Sequence, residues 1–419
     1  MSGELVTKMA LGLVLARAAA ELFLAWLNRR HAQQRSMELA EPWTGLVEPA
    51  VYRKSVEYTL AKNSLSQVET FWGTVALCVI LFSGVLPASH NSWTGRVGAA
   101  VWSEALFVFC VATALSLLGL PLDWYAQFRL EQRFGFNTTT QKLWWLDRLK
   151  GMILAFALGY PLLLLLLKWA TWAATSWWFW GWATLVAVEL LLIVLAPKFI
   201  LPLFNRFSPL PEGPLRERLF ALARKTSFIA RQIEVMDGSK RSRHSNAFFT
   251  GLGKFRKIVL FDTLLQQLSE PEIEAVLAHE IGHFKKRHIM KLLLVSSGGS
   301  LAGFYVLFFL AGQAWFYEAF GFLPGNVAIA FLLFFLLGST VGFWTAPLRN
   351  LLSRHYEYEA DGFAAIVLGE SDSLRTALRK LHEENLSNLF PHPLFSAVYY
   401  SHPTFLERDA ALKRWPKPR

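Results

Sequence analysis

The feature that most constrains this chain is a set of seven long apolar runs: Met9–Leu27, Val68–Leu86, Val97–Leu120, Met152–Ala174, Trp178–Ile200, Ile289–Phe316 and Val327–Leu348. A helix needs about 20 such residues to cross a bilayer. Lipid offers no hydrogen-bond partners, so backbone at that depth must satisfy itself as helix or closed barrel. The expected fold class is therefore an all-α polytopic membrane protein of about seven transmembrane helices. With 53% hydrophobic residues, most apolar side chains must face lipid or a core built within it. The first run lacks a small-residue cleavage site and is followed by Asn28-Arg29-Arg30, which reads as a retained helix rather than a signal peptide.

Charge orients the spans. Arg29, Arg30, Arg35, Arg53, Lys54 and Lys62 follow the first run, and Arg129, Arg133, Lys142, Arg148 and Lys150 follow the third. The loop after the second has only Arg96, and those after the fourth and sixth have no Lys or Arg. The segments after the fifth and seventh are strongly basic. Positive residues stay cytoplasmic, so this alternation places the N-terminus outside and the C-terminus inside. The net charge of +11 then reads as attraction to an anionic membrane surface, not to nucleic acid. Cys78 and Cys110, both in apolar runs, supply neither a disulfide framework nor a cysteine metal cluster. Arg17, Glu21, Glu104, Lys168 and Glu189 lie inside spans. Arg17 and Glu21, four apart, share a helix face. Their spacing fits a structural ion pair and a water-filled interior equally well.

Four regions follow from this pattern: 1–202 with spans one to five, a polar insertion over 203–288, spans six and seven over 289–349, and a cytoplasmic segment over 350–419. The insertion is long enough for a small α+β domain. Leu215–Lys225 reads as an amphipathic helix and Gln232–Met236 as a short strand. Asn246–Thr250 and Lys257–Phe261 are β-rich runs around Gly251-Leu252-Gly253, the pattern of a hairpin. Asp262 reads as a cap before Leu264–Leu268. Pro271 belongs in the first turn of the next helix, which starts after Ser269 or Glu270.

That helix carries His279-Glu280-Ile281-Gly282-His283, an HExxH motif. Residues four apart project from one helical face, so both imidazoles can bind one zinc ion. Glu280 can reach the open zinc position without being a ligand. There it would take a proton from water and pass it to the leaving amine. Gly282 leaves room beside the metal. Two histidines need a third protein ligand. His288 is five residues on, away from the shared face, and reads as an interfacial residue at the start of span six. Glu357 and Asp361 are better placed, four apart on one face, while Glu359 points away. One of the two could bind zinc while the other orients a ligand histidine.

With these residues in view, the chain resembles the type I CAAX prenyl proteases, seven-span zinc enzymes of the endoplasmic reticulum and their bacterial relatives. The similar segments are Glu131–Asn137, Pro202–Phe207, His244–Leu252, Ile258–Leu264, the motif itself and Tyr400–Thr404. The resemblance implies one Zn2+ per chain, with Glu357 as third ligand and Asp361 as the acidic partner of a zinc histidine. It implies that Asn246 holds substrate backbone from an edge strand, that His402 stabilises the oxyanion, and that the helices enclose a chamber. The implied activity is hydrolysis of peptide bonds near the C-terminus of prenylated or other membrane-associated peptides. The partners are then a peptide substrate and the bilayer. The chain is shorter than the eukaryotic pattern, has a brief loop between spans six and seven, and shows no retention signal after Trp415, which favours a bacterial inner membrane. Two other readings are a membrane quality-control endoprotease and a transporter with a non-catalytic zinc site. Seven spans argue against close identity with the shorter heat-shock proteases, and Glu280 has no obvious use in transport.

Overall fold

A computed structural model describes residues 1–37, 47–228, 232–250 and 257–415. Among these, seven helices are long and apolar enough to cross a membrane: Gly3–Arg35, Pro49–Phe82, Val101–Phe134, Gln141–Trp172, Ala174–Phe204, His288–Ala311 and Val327–Leu368. Several outlast the apolar run that announced them. At 1.5 Å per residue, a 34-residue helix is about 50 Å long, well beyond a bilayer core of about 30 Å. The second, third and seventh therefore project into water and carry polar residues to the insertion.

Three boundaries differ from the expected ones. The second helix stops at Phe82, because Gly84 takes a left-handed conformation (φ 79°) and starts a separate helix, Val85–Val97. The third continues past Leu120 through Pro121, and its ladder loosens into a π-helical stretch over Ala126–Glu131. The sixth ends at Ala311, where Gly312 and Gln313 turn the chain into a short helix, Ala314–Glu318.

Large apolar side chains such as Leu294, Val295 and Leu348 stand exposed on the spans, the expected state of lipid-facing residues. Inside, Ala330, Leu332 and Leu333 of the seventh span pack with Phe107, Trp177 and Leu307 of others. Between the spans lies a partly open cavity of about 860 Å³. Arg17 and Glu21 line it, and the ion-pair reading of their spacing holds. They form an ion pair at 2.8 Å, tied to Ser339 and Thr70, and the pair faces the cavity. Glu104, by contrast, is buried against His90 at 2.9 Å.

The insertion folds as four strands and short helices. The strands are β1 (Phe207–Pro209), β2 (Gln232–Met236), β3 (Ala247–Thr250) and β4 (Lys257–Phe261), in the order β1-β2-β4-β3. β2 and β4 run parallel, and the outer pairs are antiparallel. β3 is therefore an edge strand. The glycine turn between β3 and β4 lies outside the described residues. Ile258 and Leu260 of β4 pack on Leu277, Ala278 and Ile281 of the helix Glu270–Lys285 and on Ala364 of the seventh span's extension. One small core thus fixes the sheet, the motif helix and the acidic helix together.

Candidate metal centre

The motif helix begins where a local rule says it should. Ser269 is its N-cap and Glu272 completes a capping box, with the Ser269 N–H donating to Glu272 at 2.7 Å. Pro271 occupies the first turn. Asp262, expected as a cap, is instead the first residue of its own helix and accepts from the Ser239 N–H at 2.8 Å.

Gly282 has a different use from the one expected. A Cβ there would lie 3.0 Å from the Cα of Ala360 and 3.1 Å from its carbonyl oxygen. The missing side chain lets the motif helix cross the extension of the seventh span backbone to backbone. That crossing brings Glu357, one turn before Ala360, to the histidines. The Nε2 atoms of His279 and His283 are 3.2 Å apart, and Glu357 lies 3.5 Å from the first and 3.3 Å from the second. One ligand atom from each residue lies within 4.8 Å of the others, the spacing of groups that could share a cation.

Two observations show that the site suits a metal ion. The Oε2 of Glu357 is buried and accepts no hydrogen bond, although Arg408 stands 3.3 Å away. A buried carboxylate oxygen in that state has hydrogen-bonding capacity left over, which a cation could take up. The surroundings also favour positive charge. Burial and the Arg408 guanidinium push the His279 imidazolium down, yet the Asp361 and Glu357 carboxylates outweigh both and lift it to about 9. Glu280, adjacent to His279, has its carboxyl pushed up by burial, against the pull of His279 and His283.

The remaining expected residues are placed as follows. Asp361 is 97% removed from solvent at its side chain, with Oδ1 2.8 Å from His279 Nδ1; Arg408 Nη2 lies 3.3 Å from the same nitrogen. His402 is mostly exposed, with Nδ1 3.0 Å from Glu357, and lines a second cavity of about 780 Å³. Glu21 lines both this cavity and the intramembrane one. Asn246 stands exposed just before β3, its side chain accepting from the Ala247 N–H at 2.8 Å. The structure gives it no bond to the histidine cluster.

The family profiles cover nearly all of this chain. The description "CAAX prenyl protease N-terminal, five membrane helices" matches residues 28–206, and peptidase family M48 matches 209–416. CAAX prenyl protease 1 of Saccharomyces cerevisiae is 34% identical over 96% of this chain and 94% of its own length. The Homo sapiens homologue is 31% identical over 94% and 92%. The crystal structure of S. mikatae Ste24p superposes with a TM-score of 0.90 at 32% identity, covering 97% of this chain and 98% of that one. The chain belongs to peptidase family M48. It is a multi-pass membrane metalloendopeptidase, acting on peptide or protein substrates with a metal ion.

Around this M48 site stand residues that the motif did not disclose. Arg408 is buried and forks onto Asp361, with Nε to Oδ2 at 2.8 Å and Nη2 to Oδ1 at 2.5 Å. Its only sequence signal is position, four residues into a helix capped by Thr404 and Glu407. His288 does begin span six, but it does not stand apart from the histidine face. It is 1% exposed, with Nδ1 3.0 Å from His283 Nδ1 and Nε2 2.8 Å from Glu359. The expectation assumed an unbroken helix, which would set His288 about 140° around the axis from His283. The helix breaks instead. Arg287 adopts a left-handed conformation (φ 58°), and the chain folds back so that His288 tucks against His283. Glu359 does point away from the metal ligands, but toward His288.

A further joint holds β3. His244 stacks on Phe136 with centroids 4.1 Å apart, and its ring nitrogens face Asn385 at 2.9 Å and Glu131 at 3.3 Å. Tyr58 of the second span donates to the same Glu131 at 2.6 Å. The Arg243 N–H donates to the Phe136 carbonyl, and Asn137 pairs with Ser242. The strand's approach is thus clamped to the Phe134 end of the third span.

Proposed function

We propose that this chain is a zinc-dependent membrane endopeptidase that cuts near the C-terminus of prenylated, CAAX-type proteins. The observation that carries the chemistry is the buried Oε2 of Glu357, which accepts no hydrogen bond, beside two histidine nitrogens. The substrate class rests on the names of the relatives. His279, His283 and Glu357 would hold the ion, a nitrogen and oxygen set that suits zinc. Bound there, zinc would polarise the scissile carbonyl and acidify water.

The protein's own groups do the rest. Glu280 takes a proton from the attacking water as its oxygen bonds to the carbonyl carbon. It then delivers that proton to the peptide nitrogen as the C–N bond breaks. Its raised pKa suits a group that must both accept and release a proton. Asp361, locked by Arg408, fixes the His279 ring through Nδ1. β3 offers an unpaired edge, with Asn246 at its start, on which an extended substrate can add as a strand. His402, exposed to the cavity, is the donor available to the developing oxyanion.

The charge alternation supports an N-terminus outside and the catalytic side in the cytoplasm. The short connection between the sixth and seventh spans supports a bacterial inner membrane over the endoplasmic reticulum.

The test is purified protein with a farnesylated CAAX peptide. Glu280→Gln should keep about one zinc per chain and lose cleavage by ~10²-fold or more. Undiminished cleavage would refute the assignment of the base.

A further inference from the structure

The metal site has two histidines, and the structure treats them alike in one respect. Each turns one nitrogen toward Glu357 and the other away. The far nitrogen of His279 meets a carboxylate directly, Asp361. The far nitrogen of His283 meets His288, and His288 meets a carboxylate, Glu359.

With Nε2 of His283 as a ligand nitrogen, one proton pattern between neutral rings satisfies every contact along this second chain. With Nε2 of His283 facing the ligand cluster, its hydrogen sits on Nδ1 and is donated to His288 Nδ1. A neutral imidazole that accepts at Nδ1 carries its hydrogen on Nε2. That hydrogen points at Glu359, which can only accept. Every polar atom in the line is satisfied, and reversing any one tautomer leaves two donors or two acceptors face to face.

Several features fix His288 in this line. Its ring lies flat on Tyr356, with centroids 4.3 Å apart and planes 9° from parallel. It is among the most buried polar residues, at 1% exposure. It is delivered there by Arg287 in a left-handed backbone conformation that non-glycine residues seldom adopt. Such a strained turn persists only where the surrounding packing demands it. Tyr356 and Glu359 come from the same helix as Glu357. One helix thus supplies the third ligand, the stacking surface and the end of the relay.

We propose that His288 and Glu359 form a two-step relay that orients His283 for the metal, as Asp361 orients His279 directly. They are positioning residues. The inference rests on the reading of His283 as a zinc ligand. Outer partners of ligating histidines fix the ring and raise its basicity, and their loss typically costs 10- to 100-fold in metal affinity.

The experiment measures Zn2+ affinity of the full-length protein in detergent by competition with a chromophoric chelator. His288→Phe keeps the stacked ring but removes the acceptor. It should weaken zinc binding 10- to 100-fold. His288→Gln offers a side-chain oxygen to the His283 N–H and should recover part of that loss. Glu359→Gln keeps an acceptor at the end of the line and should cost less than His288→Phe. Cobalt substitution gives a second readout, because a freed His283 ring alters the ligand-field spectrum. Thermal melting of the chelator-treated variants shows whether the fold is intact. A wild-type protein that binds no zinc overturns the reading of the site itself. A wild type that binds zinc, with His288→Phe within twofold of it, overturns the relay alone. Equal losses in His288→Phe and His288→Gln overturn it also, since a packing role gains nothing from a restored acceptor.

Discussion

Replacing Gly282 with alanine tests whether the centre depends on how closely two helices cross. The new Cβ would meet the Ala360 Cα at 3.0 Å, its carbonyl oxygen at 3.1 Å and the Phe363 Cβ at 3.2 Å. Carbon atoms sit comfortably about 3.5–4.0 Å apart, so the helices must separate by roughly 0.5–1 Å. Two of the three neighbours are backbone and cannot swing aside. Overpacking of this kind costs about 1–3 kcal/mol. Against it, alanine gains about 0.8–1.0 kcal/mol over glycine within a helix. The two effects nearly offset, and the net destabilisation should be about 0–2 kcal/mol. Metal affinity has no such compensation. Glu357 rides on one helix and both histidines on the other, and ligand distances tolerate only about ±0.2 Å. Gly282→Ala should therefore fold with a near-normal melting temperature yet bind Zn2+ about 10- to 100-fold more weakly. Chelator competition and thermal melting in the same detergent measure the two quantities separately. An alanine variant with a higher melting temperature and zinc affinity within twofold of wild type would refute the close-crossing argument.

Three further outcomes follow from other parts of the molecule. His382 is buried against Phe405, and burial pushes its imidazolium from 6.5 down to about 4. The unfolded chain then binds a proton that the folded one refuses, so stability is intact above pH 6.5 and falls by up to ~3 kcal/mol as pH drops toward 4; His382→Phe should flatten that acid limb in melting experiments. Arg408→Met leaves the buried Asp361 carboxylate without its cation and should cost about 3–5 kcal/mol, with Arg408→Lys recovering only part; a melting temperature unchanged by Arg408→Met would refute the fork's structural role. Glu131→Gln and His244→Gln should each lower kcat/KM about 10-fold or more with zinc content preserved, since sub-ångström misplacement of a substrate strand is costly; the double variant should be no worse than either single, and simple additivity would argue against a clamp.

What the sequence disclosed and what it concealed divide along a physical line. Membrane spans, strands and the motif are local patterns, each readable from hydropathy or spacing within about 20 residues. Ser269 and Pro271 announced the helix start, and the spacing of His279 and His283 announced a candidate metal site, because helical geometry fixes both. Glu357 and Asp361 could be nominated for the same reason, four apart on one face, though spacing alone did not say which was the ligand. The misreadings occur where the helix stops being a helix. His288 was placed by extrapolating a period through Arg287, which leaves the helical region. Arg408 lies 129 residues from His279 in sequence, and nothing in its local context marks an arginine destined for burial. The Glu131–His244 joint spans 113 residues and connects a membrane helix to a sheet. Such contacts are set by tertiary packing, which no periodicity reports.

The charges of the centre explain why so many distant residues converge there. Glu280, Glu357 and Asp361 bring three carboxyl groups into one buried space, and Arg408 brings one guanidinium. The carboxyl groups outnumber the guanidinium, and a divalent cation would offset the excess. Without a cation, the same groups draw a proton onto His279 up to about pH 9. Zinc binding must displace that proton, so affinity should strengthen as pH rises and level off once His279 is deprotonated. Arg408 sets the limits of this balance. A second arginine would weaken the hold on the metal, and none would leave Asp361 free to compete with Glu357 as a ligand. The fork on Asp361 engages both of its oxygens and keeps it turned toward His279 Nδ1, which leaves Glu357 the freer of the two carboxylates to hold a metal ion. An arginine on a helix that follows the His402 loop would thus favour Glu357 as the ligand, a choice that spacing left open.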